Sequence, residues 1–163
     1  MNNFDYEKVK IENNKFNLKE ITLMRVGYYG YQLVGFLAIL KENLVLSILY
    51  LLFIIGGSFL VFYCLCTHCP HQFMHGKCTF VPFGLQKKLF KFKPRKMNVF
   101  EIIGHNLITK GAIIIPQFWL YKDLKLLIIF WILCLPTILR LSFYHCKKCQ
   151  NYGCPFCSNK INI

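Results

Sequence analysis

The sequence predicts an all-α, polytopic membrane protein in which four transmembrane helices form two hairpins, each followed by a cytoplasmic cysteine-rich knuckle. Three observations lead to this fold class. Of the 163 residues, 55% are hydrophobic and only 17% are charged, whereas soluble domains carry about a quarter charged residues. Four apolar runs approach the roughly 20 residues that a helix needs to cross a bilayer. Eight of the nine cysteines follow the second and fourth runs. The long apolar runs exclude a disordered chain and a secreted disulfide scaffold.

The first half is predicted to hold a cytoplasmic N-terminal segment, residues 1–25, and a transmembrane hairpin, residues 26–66. Residues 1–20 mix both charges before any apolar run, which is not the pattern of a signal peptide. The second helix of the hairpin, Leu44–Cys66, contains no charge. The first, Val26–Leu40, reaches full length only if residues 21–25 contribute. Lys41-Glu42-Asn43 makes the turn.

The second transmembrane hairpin is predicted over residues 99–144. Its helices are Ile102–Tyr121 and Leu126–Tyr144, joined by the polar turn Lys122–Lys125. Proline inside a span predicts a kink, and small residues predict close helix packing. The residues concerned are Pro116, Pro136 and Gly56-Gly57-Ser58.

The distribution of basic residues predicts the orientation. With both hairpins inserted, the N-terminus, the central loop and the C-terminus lie on one side and carry sixteen of the 20 Lys and Arg residues. The two turns on the other side carry Lys41, Lys122 and Lys125. Positively charged loops remain in the cytoplasm. The sequence therefore predicts a multi-pass protein of the cell (inner) membrane with both termini cytoplasmic.

The cysteines predict two metal sites. The C-terminal knuckle, residues 145–163, contains two Cys-x-x-Cys pairs, and two such pairs provide the four thiolates of a tetrahedral zinc site. The group after the first hairpin is less regular, so histidine is a further candidate ligand there. The predicted ligands are Cys146, Cys149, Cys154 and Cys157 in the second group, and Cys64, Cys66, Cys69, Cys78, His68 and His71 (with His75 as an alternative) in the first. Phe-Tyr precedes both groups, which suggests an internal duplication.

Two functions from different classes remain open. In the first, two zinc sites facing the cytoplasm form a structural, metal-handling or docking platform. In the second, an iron–sulfur cluster or Cys-x-x-Cys dithiols transfer electrons at the membrane. The remaining cysteine, Cys134, lies inside the fourth span, where a small apolar thiol needs no special role. The chain lacks a Ser/His/Asp arrangement, a phosphate loop and paired catalytic carboxylates, so nothing indicates a catalytic residue.

The loop over residues 67–98 is rich in Cys, His and basic residues. Apolar residues at helical spacing predict a short interfacial helix, with lysines that contact anionic lipid headgroups. These are Lys87, Lys88, Lys91 and Lys93. The bilayer accounts for the positive charge, so no nucleic-acid partner is expected. Glu101 and His105 lie one helical turn apart at the start of the third span, where we expect residues at the membrane rim. The alternative is a functional role, because ionisable residues at membrane depth are often functional, and Lys110, deeper in that span, fits the rim interpretation less well.

One loop motif resembles a family. The string Cys66-Thr-His-Cys69-Pro, followed by Gly76-Lys77-Cys78, Phe83-Gly84-Leu85 and Lys88-Leu89-Phe90, resembles an uncharacterised group of small cysteine-rich membrane proteins of archaea and bacteria. The resemblance extends over about residues 45–157. It implies the four-helix topology and no assigned activity.

Overall fold

The structure, a computed structural model, describes residues 17–68, 89–91, 93, 95 and 97–146. The helices are α1 (Leu18–Leu40), α2 (Leu44–Cys64), α3 (Val99–Ile114), α4 (Gln117–Leu120) and α5 (Leu124–Arg140). A 3-10 turn (Cys66–His68) follows α2, and a π-helical turn (Leu141–His145) follows α5. No strand occurs among these residues, so the prediction of an all-α fold is confirmed.

Polar residues fix where each long helix begins. The carboxylate of Glu20 accepts a hydrogen bond from the backbone N–H of Asn17, and Glu101 accepts one from Asn98. In each capping box the glutamate side chain accepts a hydrogen bond from the backbone N–H of the N-cap residue, which would otherwise be unpaired. At α2 and α5 the cap is the preceding side chain, because Asn43 accepts from Leu46 N–H and Asp123 from Lys125 and Leu126 N–H.

Three helices of the described part are long and apolar enough to cross a membrane: Leu44–His68, Val99–Leu120 and Leu124–His145. Their sides expose large apolar residues, as lipid-facing helices do; Leu52 is 60% exposed and Ile132 is 64% exposed. The helix α1 has 23 residues, but its polar side chains make it less apolar, and it is not among the three. A fourth span and the arrangement as two transmembrane hairpins stay predictions.

Ion pairs show how the helices are arranged end to end. Lys41 Nζ lies 2.7 Å from Asp123 Oδ2, and Lys122 Nζ lies 2.8 Å from Glu42 Oε2. These two ion pairs join the turn after α1 to the turn before α5, and we call this the turn end of the bundle. At the opposite end, the Tyr144 hydroxyl donates a hydrogen bond to Glu20 at the start of α1. The main helix pairs are accordingly α1 with α5 and α2 with α3.

The core of the bundle lies between α1, α4 and α5. Its buried cluster consists of Tyr31, Val34, Ala38, Leu120, Phe130 and Cys134. Pro116 interrupts the third predicted span, since α3 ends at Ile114 and α4 begins at Gln117. The close packing predicted at the Gly-Gly pair is confirmed for Gly57, where an added Cβ would lie 2.5 Å from Ile108 Cγ2. Cys134 is fully buried in this apolar cluster, as expected for a thiol without a polar role.

The contacts relate the two halves of the chain to each other. Several residues of the first half are followed, at one constant sequence separation, by an identical residue in the second half. The pairs are Asn17 and Asn98, Glu20 and Glu101, Lys41 and Lys122, and Tyr63 and Tyr144. At the same separation, Lys41 corresponds to Lys122 and Glu42 to Asp123, so the two ion pairs of the turn end are equivalent to each other. The same separation also relates Gly35 to Pro116, which touch: a Cβ on Gly35 would lie 3.0 Å from Pro116 Cβ. These reciprocal contacts agree with an internal duplication whose copies pack around an approximate twofold axis.

The ion pairs of the turn end make its stability depend on pH. The hydrogen bonds from Lys41 and from Leu126 N–H hold the pKa of Asp123 below its ordinary value of 3.8. A group with a lowered pKa stabilises the fold above its ordinary pKa, and that contribution is lost as the pH falls through the folded-state value. The hydrogen bond to Glu42 raises the pKa of Lys122 above 10.5. Its contribution is complete below pH 10.5 and is lost at higher pH.

We expect Asp123→Asn to lower the melting temperature slightly at neutral pH, with a difference from wild type that shrinks as the pH falls below about 4. The effect is small because water screens exposed ion pairs. Melting followed by circular dichroism in detergent, between pH 3 and 7, measures it. Lys41→Gln should show the same pH dependence. A difference that stays constant over this range would contradict the role of the ion pair.

Candidate metal centre at the helix ends

Four of the predicted metal ligands lie among the described residues, and all four are at helix ends. Cys64 is the last residue of α2, Cys66 and His68 begin and end the 3-10 turn, and Cys146 follows the π-helical turn. The first three are buried and Cys146 is half-buried. The other predicted ligands lie outside the described residues: Cys69, His71, Cys78, Cys149, Cys154 and Cys157.

His68 is held by the backbone of the helix that precedes it. Its Nδ1 lies 3.0 Å from the carbonyl oxygen of Cys64 and 3.2 Å from the hydroxyl of Thr67. The Thr67 hydroxyl in turn donates to the carbonyl oxygen of Tyr63 at 2.6 Å. The side chain of His68 is fully buried, and its Nε2 lies 3.7 Å from Glu101 Oε2.

Glu101, in the first turn of α3, is a buried carboxylate held by several donors. Both of its oxygens accept from the Arg95 guanidinium, at 2.8 and 3.0 Å. Asn98 N–H donates to Oε2 at 2.8 Å. The Glu101 residue is only 7% exposed. A planar guanidinium that meets both oxygens is the strongest common partner of a carboxylate, which accounts for the tolerance of a charge at this depth.

Lys93 ties the end of the basic loop to the same place. Its backbone N–H donates to the Thr67 carbonyl oxygen at 2.9 Å, and its Nζ lies 3.6 Å from the centroid of the Tyr63 ring. Nζ also lies 3.8 Å from Glu101 Oε1. Lys93, predicted to contact lipid headgroups, therefore faces protein groups. Lys91 is exposed, and Lys87 and Lys88 lie outside the described residues.

The predicted interfacial helix of the loop is tested at few positions. Within that segment the described residues are 89–91, and only Leu89 has a helical conformation. Leu89 is 52% exposed, and the Phe90 ring packs edge-on against Tyr63 with centroids 6.0 Å apart. The rest of the segment lies outside the described residues, so the interfacial helix stays a prediction.

The second cysteine group, like the first, begins beside a glutamate. Tyr144, equivalent to Tyr63 in the other half, donates its hydroxyl hydrogen bond to Glu20, which is equivalent to Glu101. The ring centroids of Tyr144 and His145 lie 5.5 Å apart, and Cys146 follows directly. Each cysteine group therefore begins beside a glutamate in the first turn of a helix from the other half.

The burial of Glu101 differs from the expectation of a residue at the membrane rim. The rim would leave it in contact with water and headgroups, whereas Arg95, Asn98 and the 3-10 turn enclose it. His105 is half-buried, and Lys110 is exposed on α3. In the sequence, the pattern Asn98-x-x-Glu101 indicates that the Glu101 carboxylate folds back onto the helix start, because this is the arrangement of a capping box. The arginine partner had no comparable signal in the sequence.

Within the ranges that the structure describes, no three His, Cys, Asp or Glu side chains converge on one point. One group there does suit zinc: the buried Nε2 of His68 has no hydrogen-bond partner among the described residues. A ring nitrogen whose companion nitrogen donates to a backbone carbonyl is the usual form of a zinc-binding histidine.

Comparison of the chain with protein-family models, with curated proteins and with solved structures finds no match in any of the three.

Proposed function

We propose that the chain is a four-span protein of the cell (inner) membrane whose two cysteine-rich groups bind zinc and form a structural, metal-handling or docking platform facing the cytoplasm. In this proposal α1, α2, α3 with α4, and α5 cross the bilayer as two hairpins. The central loop and both terminal segments lie on the cytoplasmic side. The two polar turns lie on the other side.

One observation carries this proposal: both cysteine groups begin at the same end of the helix bundle. The ion pairs of Lys41 and Lys122 gather the two turns at the turn end. The segments that lead into the cysteine groups are at the opposite end, where Glu101 meets the 3-10 turn after α2 and Glu20 meets Tyr144 after α5. Two metal sites on one side of a membrane are what a platform requires.

The distribution of charge supports the choice of side. At the turn end, Lys41 and Lys122 are each neutralised by an acidic partner, so few net positive charges oppose translocation. Most basic residues of the sequence precede α1, lie between α2 and α3 or follow α5. Retention of positive segments in the cytoplasm then places the cysteine groups inside, and anionic headgroups are the expected lipid partner. Reduced thiols suit the cytoplasm, because disulfides are rare there.

Zinc is favoured by the chemistry of the ligands. Thiolates and imidazole suit a borderline-soft ion without redox chemistry of its own, and four such ligands complete a tetrahedral structural site. The buried imidazole of His68 supports this choice in the first group. The second group relies on the sequence, with its two Cys-x-x-Cys pairs.

Metal analysis of the purified full chain in detergent tests the proposal. We expect two zinc ions per wild-type chain, because each cysteine group supplies at least four candidate ligands. The double variant Cys146→Ser, Cys149→Ser should retain one, because it removes two ligands of the second site only. Cys134→Ser is the matched control and should retain both, since Cys134 is buried in the apolar core.

Other results of the same analysis would decide against zinc. A brown protein with a reducible iron signal would replace the proposal with electron transfer through an iron–sulfur cluster. A metal-free protein with a reversible dithiol couple would leave thiol chemistry alone.

A further inference from the structure

The proposed function leaves open which side chains of the first cysteine group bind the metal. Cys64, Cys66, His68 and His71 are all candidates by sequence, together with Cys69 and Cys78. The structure describes the surroundings of two of these residues, Cys64 and His68, and an assignment of their roles rests on the proposed function.

The hydrogen-bond partners of His68 determine its tautomer. The Cys64 carbonyl oxygen can only accept, and the Thr67 hydroxyl has already given its hydrogen to the carbonyl of Tyr63. Both neighbours of Nδ1 therefore accept a hydrogen bond from it, so Nδ1 carries the hydrogen. In the neutral ring the other nitrogen, Nε2, is left with a free lone pair.

That lone pair lies in an unfavourable place if nothing binds to it. His68 is 1% exposed, and Nε2 has no hydrogen-bond partner in the described part of the chain. A carboxylate oxygen of Glu101 lies 3.7 Å from Nε2, which is too far for a hydrogen bond, and this oxygen is itself an acceptor. A buried nitrogen without a hydrogen-bond partner destabilises the fold, because it has lost its contact with water and gained none in return. A cation at Nε2 removes this cost and is attracted by the carboxylate.

We propose that Nε2 of His68 is a ligand of the zinc ion in the first site, and that Glu101 is a positioning residue beside it. Glu101 lies outside the ligand shell, because its oxygens already accept from Arg95 and from Asn98 N–H. Glu101 faces Nε2, the nitrogen that binds the metal, so it acts by attracting the bound cation and by fixing Arg95, whereas the Cys64 carbonyl at Nδ1 sets the orientation of the ring. Arg95 and Lys93 are compatible with the site, because several thiolates around one zinc leave a net negative charge.

Cys64 has a different role. It is 3% exposed, and a Cβ on Gly104 of α3 would lie 3.8 Å from its Sγ. The thiol therefore packs between α2 and α3 at the start of the third span. Its contribution to the site is the backbone carbonyl that orients His68.

X-ray absorption at the zinc edge of the full chain, combined with metal analysis, tests this inference. Wild type should show a nitrogen ligand at about 2.0–2.1 Å in addition to sulfur at about 2.3 Å. His68→Ala should lose one zinc ion. His68→Cys should retain both ions with a shell of sulfur alone, because a thiolate replaces the imidazole. Cys64→Ser should also retain both ions, because the inference assigns its thiol to packing and serine keeps the backbone carbonyl. Cys134→Ser, in the apolar core, is the matched control and should match wild type.

Release of zinc to a chelator tests the positioning role. Glu101→Gln should retain the histidine signal but release one zinc ion faster, with an affinity reduced about 10- to 100-fold, as for other partners of zinc ligands. Glu42→Gln, which removes an exposed carboxylate at the turn end, should release zinc at the wild-type rate. Equal rates for Glu101→Gln and wild type would show that Glu101 is only structural.

The outcomes separate the inference from the proposed function. A wild-type chain without zinc overturns both. Two zinc ions in His68→Ala, or a nitrogen signal that persists in His68→Cys, overturns the inference alone and points to another histidine. Loss of zinc from Cys64→Ser while His68→Ala keeps it does the same. If His68→Ala fails to purify as a monodisperse protein, His68→Cys still decides.

Discussion

Replacing Glu101 with alanine should lower the free energy of unfolding by about 1.5–3 kcal/mol, because it removes the charge-assisted hydrogen bonds of a buried carboxylate to Arg95. The cost is smaller than for a fully buried ion pair, since the Arg95 side chain is 42% exposed and water can solvate the guanidinium once its partner is gone. The variant also removes the capping contact to Asn98 N–H. Unfolding in mixed detergent micelles measures the change. Contacts to Lys93 and His68 add to the effect.

Two further variants define the origin of this loss. Arg95→Ala should cost as much or nearly as much, and the double variant should cost less than the sum, because the two residues share one interaction. Glu42→Gln breaks an exposed ion pair with Lys122 at the turn end and should have a far smaller effect. Additive costs for Glu101→Ala and Arg95→Ala would contradict a direct ion pair.

Replacing Gly57 with leucine should destabilise the bundle by about 1–3 kcal/mol or more, because the side chain has no space between α2 and α3. Even the Cβ would lie 2.5 Å from Ile108 Cγ2 and 3.3 Å from Ile108 Cδ1. Isoleucine is branched at Cβ, so its Cγ2 cannot swing away without a new rotamer of the whole side chain. The α2 and α3 axes must therefore move apart. Unfolding in mixed micelles again measures the loss.

The adjacent glycine provides a matched control in the same helix. A Cβ on Gly56 meets nothing within 4 Å among the described residues, so Gly56→Leu should be neutral or slightly stabilising. Alanine at each position gives a gentler form of the same comparison, in which Gly56→Ala gains helix propensity. Similar losses at both glycines would show that backbone flexibility, and not packing against Ile108, decides the effect.

Much of the fold was predictable because apolar runs and polar turns are local signals. The boundaries of α2 and α5 follow from Asn43 and Asp123, which cap them. The apolar run that predicts the first span begins at Val26, or at residue 21 if residues 21–25 contribute, whereas helix α1 begins at Leu18. Charged residues in its first turns obscured the helical pattern. The capping pattern of Asn17 and Glu20 gave the better boundary.

The packing of helices and the surroundings of the site were less predictable. Hydropathy suggests which segments are buried in lipid but not which helices pair, so the pairing of α1 with α5 needed the structure. The same holds for Arg95 and Glu101, which are close in sequence yet gave no sign that the 3-10 turn at His68 would cover them. A histidine tautomer depends on three-dimensional partners, here the carbonyl of Cys64 and the hydroxyl of Thr67.

The pairing of α1 with α5 has a consequence for biosynthesis. Of the four long helices, α1 leaves the ribosome first and α5 last, yet they are principal partners. Until α5 arrives, the α1 surface that carries Tyr31, Val34 and Ala38 lacks its final neighbour Phe130. The contacts that complete the bundle are thus distant along the chain and form late. During translation the early helices must wait in the bilayer or at the insertion machinery before the bundle can close.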